Sequence, residues 1–305
     1  MINYSFIIPH KNTPELLQKC LDSIPRRDDV QIIVVDDNSD PDKVDFNHFP
    51  GLDDQRIEVY LTKEGRGAGY ARNVGLQHAC GKWLVFADAD DFFNDDIVEA
   101  MEEYVDSDYD IVFFKATGLD LATGKEGNRH MALNIRIDDA SSSGNYDELL
   151  FFSIPWAKFI RHAFVVENKI EFQEVRWAND VLFSTKCGLA AKSFTTSELA
   201  VYCVTTRSGS LIKDPSKEAL LTRYEVDCES SALMKAEGKA SVMSRWTFQT
   251  WLNLYRADRK LAISRVGLII KSIGWDFGKY LYREIRHSIH KFVKNFIKHE
   301  SKQGA

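Results

Sequence analysis

Gly81-Lys-Trp-Leu-Val-Phe-Ala-Asp-Ala-Asp-Asp91 joins a short unbroken apolar run to three carboxylates. An apolar run without polar alternation suits a strand covered on both faces, the pattern of a parallel sheet held between helices. Residues i and i+2 at a strand end point to the same side, so Asp88 and Asp90 converge beyond residues 83–87. Ligands of such sheets bind outside the carboxyl ends of the strands. The competing reading is an acidic turn, with Asp91 or Asn94 capping a helix over 95–104.

Working outward, residues 4–8, 32–35, 57–61 and 111–114 are further short apolar runs. Between them, 14–24 and 69–79 carry helical spacing. Thr13 is the expected N-cap of the first helix, and Pro14 its first residue. Strand and helix in alternation predict an α/β fold with a mostly parallel sheet flanked by helices. Pro9 is expected to stop the first strand. Residues 117–150 are polar and irregular, with strand-like pieces around 129–137. A helix is expected over 179–189 and a strand over 199–205. No proline follows Pro215, and the remaining pattern is helical, with breaks near Gly238, Asp258 and Gly274. The expected division is an α/β domain over 1–215 and an all-helical C-terminal extension over 216–305.

With 44% hydrophobic and 28% charged residues, the chain has a soluble globular composition, which excludes a disordered or collagen-like protein. Its 305 residues can bury a core without disulfides or metal staples. The net charge of −6 gives no basic signature of a nucleic-acid partner. Charge is unevenly spread: residues 256–305 hold twelve Lys/Arg against four Asp/Glu, so the rest of the chain is strongly acidic. Five widely spaced cysteines without a CxxC read as reduced thiols of a cytoplasmic protein. The first apolar stretch is too short for a signal peptide, and no run approaches a membrane span.

Three further places can carry chemistry. Asp36-Asp37 follows the second apolar run, where carboxylates can accept hydrogen bonds from a base or ribose; Asp-Asn-Ser-Asp is equally turn chemistry. Gly65-Arg-Gly-Ala-Gly69 opens a helix, and such a turn can approach a phosphate. Arg72 stands where the dinucleotide fingerprint needs a third glycine or alanine. Trp177-Ala-Asn-Asp180 opens another helix, where an acid suits the helix dipole.

The ordered series of pieces resembles the family 2 glycosyltransferases with the GT-A fold, over roughly residues 3–210. The motifs are Phe6-Ile-Ile-Pro-His-Lys-Asn12, Ile33-Val-Val-Asp-Asp-Asn-Ser39, Gly69-Tyr-Ala-Arg-Asn-Val-Gly75, the opening stretch 81–91, Asn179-Asp-Val-Leu-Phe183 and Arg207-Ser-Gly-Ser210. The resemblance implies a nucleotide pocket with Pro9, with Asp37 on the base (uracil is expected) and Arg72 nearby. It implies Asp88 on the ribose and Asp90 on Mn²⁺ or Mg²⁺. Asp180 would be the catalytic base, and Arg207 and Ser210 lie in a stretch that closes over the diphosphate. Glu171 and Glu174 are competing acids for the base. Two departures stand out: Lys11 replaces the usual aromatic, and Asn179 the usual Glu.

The implied activity is inverting transfer of a sugar from a nucleotide-sugar donor, a UDP-sugar, to an acceptor hydroxyl on a glycan or lipid-linked carrier. The alternatives are an inactive transferase-like scaffold and a sugar nucleotidyltransferase. The latter favours a glycine-rich loop after the first strand, where Pro9-His-Lys-Asn12 stands. In the tail 273–298, Ile273, Phe277, Leu281 and Ile285 begin an apolar stripe flanked by Lys and Arg. It is read either as lying on an anionic membrane, on the inner face of the cell membrane, or as packing on the catalytic domain or a partner subunit.

Overall fold

A computed structural model describes residues 1–207, 214–284 and 286, apart from the side chains of residues 240, 241 and 243. The chain forms two compact units, Met1–Asp214 and Pro215–Ala305.

The first unit runs β1 (Tyr4–His10), α1 (Pro14–Asp22), β2 (Val30–Asp37), β3 (Ile57–Thr62), α2 (Ala68–His78), β4 (Trp83–Phe86), β5 (Phe92–Phe93) and α3 (Asp96–Tyr104). It continues with β6 (Ile111–Asp120), α4 (Met131–Ser143), α5 (Asp147–Leu150), β7 (Lys158–Arg161), α6 (His162–Glu167), α7 (Val181–Ala190) and β8 (Phe194–Thr206). The eight strands form one sheet in the order β3-β2-β1-β4-β7-β6-β8-β5. Strands β3, β2, β1 and β4 pair in parallel, as do β6 and β8. Strand β7 lies antiparallel between β4 and β6, and β5 antiparallel to β8. The architecture is thus a mixed α/β sheet with flanking helices, followed by a helical region.

The parallel half explains the apolar runs. Every residue of β1, β2 and β4 is buried, because helices cover both faces of a parallel sheet. Pro9 does not stop β1: the strand continues to His10, with Pro9 opposite Val35. Strand β4 ends opposite Ile7. Beyond that point β1 has a neighbour on one side only, so a residue without an N–H is tolerated.

Residues 129–137 are not strand-like either; they enter α4. Leu133, Ile137 and Ala140 are buried, while Ile135 is 54% exposed. The alternation of apolar residues at 131, 133, 135 and 137 imitates a strand, but burial follows the helical period.

Three rings fix the second half of the site. Phe86 at the end of β4 meets Phe172 and Phe183 edge-on, and those two stack with centroids 3.9 Å apart. Pairs of this kind add about 0.5–1.5 kcal/mol each beyond area burial. They pin the 171–180 loop and α7 against the strand that delivers the acids. Gly69 lets α2 approach this loop: an added Cβ would lie 2.1 Å from the Gln173 carbonyl oxygen.

The second unit is helical: α8 (Lys217–Ala236), α9 (Ala240–Ala257), α10 (Arg259–Ser264), α11 (Val266–Ile273) and a further helix over 276–284. Its core joins Tyr224, Phe248, Trp251, Leu254 and Ile269. Ile273 belongs to that core, and Phe277 and Leu281 pack against it. The described part of the tail's apolar stripe therefore faces inward, with Phe277 edge-on to Trp251 at 5.2 Å, and is not a free membrane-facing surface. Residues 285 and 287–298 of that stretch lie outside the described residues. No helix among the described residues is long and apolar enough to cross a membrane.

Candidate active site

The acids after β2 and β4 are arranged differently. Asp36 is consumed internally. It faces Nδ1 of His10 at 2.7 Å, and Ser39 donates both its N–H and its hydroxyl to it. Thr13 donates its N–H to His10 Nε2, which leaves the ring proton on Nδ1, facing Asp36. Burial opposes the charge on Asp36, but these hydrogen bonds outweigh it and hold the carboxyl below the usual range. Asp37 is also buried, yet only one of its oxygens is occupied. Lys11 Nζ (3.2 Å) and the Gly67 N–H (2.9 Å) reach Oδ2, while Oδ1 is buried with no hydrogen-bond partner among the described residues. The glycine turn at 65–69 thus spends the Gly67 N–H on Asp37.

Beyond β4, Asp88, Asp90 and Asp91 each bring a carboxylate oxygen within 4.8 Å of the others. Each has a different partner. Arg72 holds Asp88 at 2.5 Å, and Arg207 Nε holds Asp90 at 2.7 Å. Asp91 is buried: the Thr205 N–H reaches its Oδ1 and the Tyr202 hydroxyl its Oδ2. Burial first, then the charges of Asp88 and Asp90, push the Asp91 carboxyl well up. The Tyr202 hydroxyl also accepts the Asp88 N–H, so it ties the turn together from below. An all-oxygen set of convergent carboxylates fits a hard divalent cation. With Asp91 committed at both oxygens, Asp88 and Asp90 are the members that each keep one oxygen outside these contacts.

Arg72 links this cluster to the far loop. Its guanidinium donates to Asn179 Oδ1 at 2.8 Å and lies over the Phe172 ring at 5.3 Å. It is buried, so it braces Asp88 and the start of α7. Asp180 occupies the N-cap position of α7 without a side-chain cap hydrogen bond. Desolvation by the surrounding protein raises its carboxyl to about 6, an effect opposed first by the charge of Arg72. Lys158 of β7 is buried nearby; burial lowers its ammonium to about 8, against the charges of Cys187 and Asp180. Of the competing acids, Glu174 pairs with Arg66 and Glu171 is exposed.

Among the predicted site residues, Asp88, Asp90, Arg72 and Arg207 come together in one network. Asp180 joins it through its neighbour Asn179. Pro9 and Asp37 stand at the adjacent ends of β1 and β2. Ser210 lies outside the described residues. Sequence reading missed Asp91 as the buried anchor of the turn and Lys11 and Lys158 as local cations. The signal for Asp91 was available: it directly follows the acidic pair.

A cluster of carboxylates and arginines beyond the carboxyl ends of an α/β sheet defines a ligand-binding α/β protein of the kind that handles charged substrates. The chain belongs to glycosyl transferase family 2: the family's sequence model, "Glycosyl transferase family 2", matches residues 5–165, more than half of the chain. Relatives include the poly(ribitol-phosphate) β-N-acetylglucosaminyltransferase TarS of Staphylococcus aureus, 25% identical over 68% of this chain and 36% of TarS. The putative glycosyltransferase EpsH of Bacillus subtilis is 24% identical over 73% of this chain and 67% of EpsH. The match thus spans little more than a third of TarS. Among solved structures, S. aureus TarS 1–349 with UDP-GlcNAc aligns at a TM-score of 0.63 and 22% identity, covering 90% of this chain and 80% of that one. The mannosyltransferase PcManGT of Pyrobaculum calidifontis, in complex with GDP-Man and Mn²⁺, aligns at 0.56 and 17%, covering 96% and 82%. At these identities the structures establish a shared fold.

Proposed function

We propose that this protein transfers a sugar from a UDP-sugar to an acceptor hydroxyl on a glycan or lipid-linked carrier, with inversion at the anomeric carbon. The observation that carries the choice of base is the single free oxygen of Asp37. Uracil offers one imide N–H between two carbonyls, which one buried acceptor satisfies. Guanine offers two adjacent donors on that edge and would need both carboxylate oxygens, one of which Lys11 and Gly67 already occupy. Pro9 belongs to the same pocket, and Asp88 accepts from the ribose.

Asp90 would hold Mn²⁺ or Mg²⁺, with Asp88 beside it. The bound ion would offset charge on the leaving diphosphate. Arg207 would contact the diphosphate, a role proposed also for Ser210. Asp180 takes the proton from the acceptor hydroxyl; a carboxyl raised to about 6 suits a base working near neutrality. One base and in-line attack give inversion. Asp90→Asn keeps the shape and loses the charge. Its turnover with a UDP-sugar should fall at least about 100-fold while its circular dichroism stays that of wild type. Full activity of this variant, or of wild type in excess EDTA, would remove the metal from the reading.

The second unit offers a surface for an anionic membrane that carries the acceptor, on a different face from the packed stripe. Trp275 is 98% exposed, and Leu268, Ile270 and Tyr282 are exposed with Lys271, Lys279 and Arg283. A Trp with neighbouring cations suits the headgroup level. Flotation with anionic liposomes at low salt tests this: Trp275→Ala with Lys271→Gln should lower the bound fraction, and wild type that does not float would refute it.

A further inference from the structure

We infer that Arg207 competes with a divalent cation for Asp90, and thereby makes cation binding depend on the nucleoside diphosphate. The inference rests on the proposal that Asp90 is a cation ligand.

The backbone that delivers Arg207 is fixed. The Thr205 N–H donates to Asp91 at 2.7 Å, and the Thr205 hydroxyl to the Asp90 carbonyl at 2.7 Å. Arg129 donates to the Thr205 carbonyl at 2.6 Å, and the Leu121 N–H to that of Thr206 at 3.0 Å. Strand β8 is therefore pinned to the very turn that carries the acids, and the next residue places its guanidinium on Asp90.

The two arginines of the cluster are not alike. Arg72 is locked by Asp88, Asn179 and the Phe172 ring, and its side chain is 6% exposed. Arg207 has Asp90 as its ion-pair partner among the described residues, and its side chain is 33% exposed. It can leave by rotating its side chain, with the backbone in place. A dication on Asp90 would sit against the guanidinium, and two cations at that separation repel. Cation entry thus requires Arg207 to give up the one ion-pair partner it has among the described residues. A diphosphate supplies a replacement, since guanidinium groups bind phosphate oxygens in a forked geometry. Cation alone and nucleotide alone each meet an incomplete site. Together they satisfy Asp90 and Arg207 at once, which is positive coupling between two ligands.

The test is a titration with Mn²⁺, with free Mn²⁺ followed by electron paramagnetic resonance, with and without saturating UDP. Wild type, Arg207→Gln and Arg207→Lys are compared as full-length proteins. Arg207→Gln without UDP should bind Mn²⁺ at least about fivefold more tightly than wild type. The enhancement of Mn²⁺ affinity by UDP should shrink by a similar factor, and UDP itself should bind more weakly. Arg207→Lys keeps the charge and should stay near wild type without UDP. Wild type that takes up Mn²⁺ with UDP, beside an Arg207→Gln that binds Mn²⁺ alone no more tightly, overturns the competition and leaves the metal assignment intact. Wild type that takes up no Mn²⁺ even with UDP overturns the metal assignment and the competition together.

Discussion

The acids that follow β2 and β4 and the acid that opens α7 are treated in opposite ways by their surroundings. Asp37, Asp88 and Asp90 each face a cation from a distant part of the chain: Lys11, Arg72 and Arg207. Among the described residues Asp180 has no side-chain cap hydrogen bond and no ion pair, and desolvation raises its carboxyl to about 6. On the proposed function, the binding acids are the ones paired with cations and aimed by them. An acid meant to take a proton has to keep a carboxyl that can hold one near neutral pH.

The largest expected effect comes from erasing the lone acid. Asp180→Asn should lower transfer by about 10²–10⁴-fold, the contribution typical of a general base. If it keeps more than about a tenth of wild-type transfer, the proton goes elsewhere, and Glu171→Gln and Glu174→Gln measured in parallel would find it.

Altering a held acid should act on binding. Asp37→Asn exchanges a buried charged acceptor for an amide and should weaken UDP by about 1.5–3 kcal/mol, roughly 10–100-fold. An unchanged dissociation constant in calorimetry would move the base out of this pocket.

The raised carboxyl also sets a pH limb. The base must be ionised, so the turnover rate should rise through about pH 6 and level off above it. One unit below that midpoint, about a tenth of the plateau rate remains. The limb should disappear from the residual activity of Asp180→Asn; a flat profile in wild type would contradict the assignment.

Stability separates the two kinds of acid more gently. Asp88→Asn removes the charge facing a buried guanidinium and should cost about 1–3 kcal/mol, read as a lower Tm. A carboxyl raised in the folded protein above its unfolded value contributes its stability at low pH and loses it as pH rises through the folded value. At pH 7.5 Asp180→Asn should therefore leave Tm unchanged or higher. Equal losses in both variants would erase the distinction.

The held acids were legible because each follows an unbroken apolar run, and the ends of parallel strands are where ligands bind. Their partners were not: Arg72 and Asn179 are 107 residues apart, and only the sheet order brings them together. Strand β7 was invisible for another reason. It has four residues, antiparallel to both neighbours, with the charged Lys158 first. In α4 the apolar alternation at 131–137 matched a strand until burial picked out Leu133 and Ile137. The stripe with Phe277 and Leu281 was legible as amphipathic, but a sequence does not say what an apolar face meets. Here it meets Phe248 and Trp251.

The division between binding acids and a proton-taking acid is tested most directly by calorimetric titration of UDP in the presence of Mn²⁺, run side by side on Asp180→Asn and Asp90→Asn. The account predicts wild-type UDP affinity in the first and a loss of at least about tenfold in the second. Weakened binding in Asp180→Asn with wild-type binding in Asp90→Asn would contradict it.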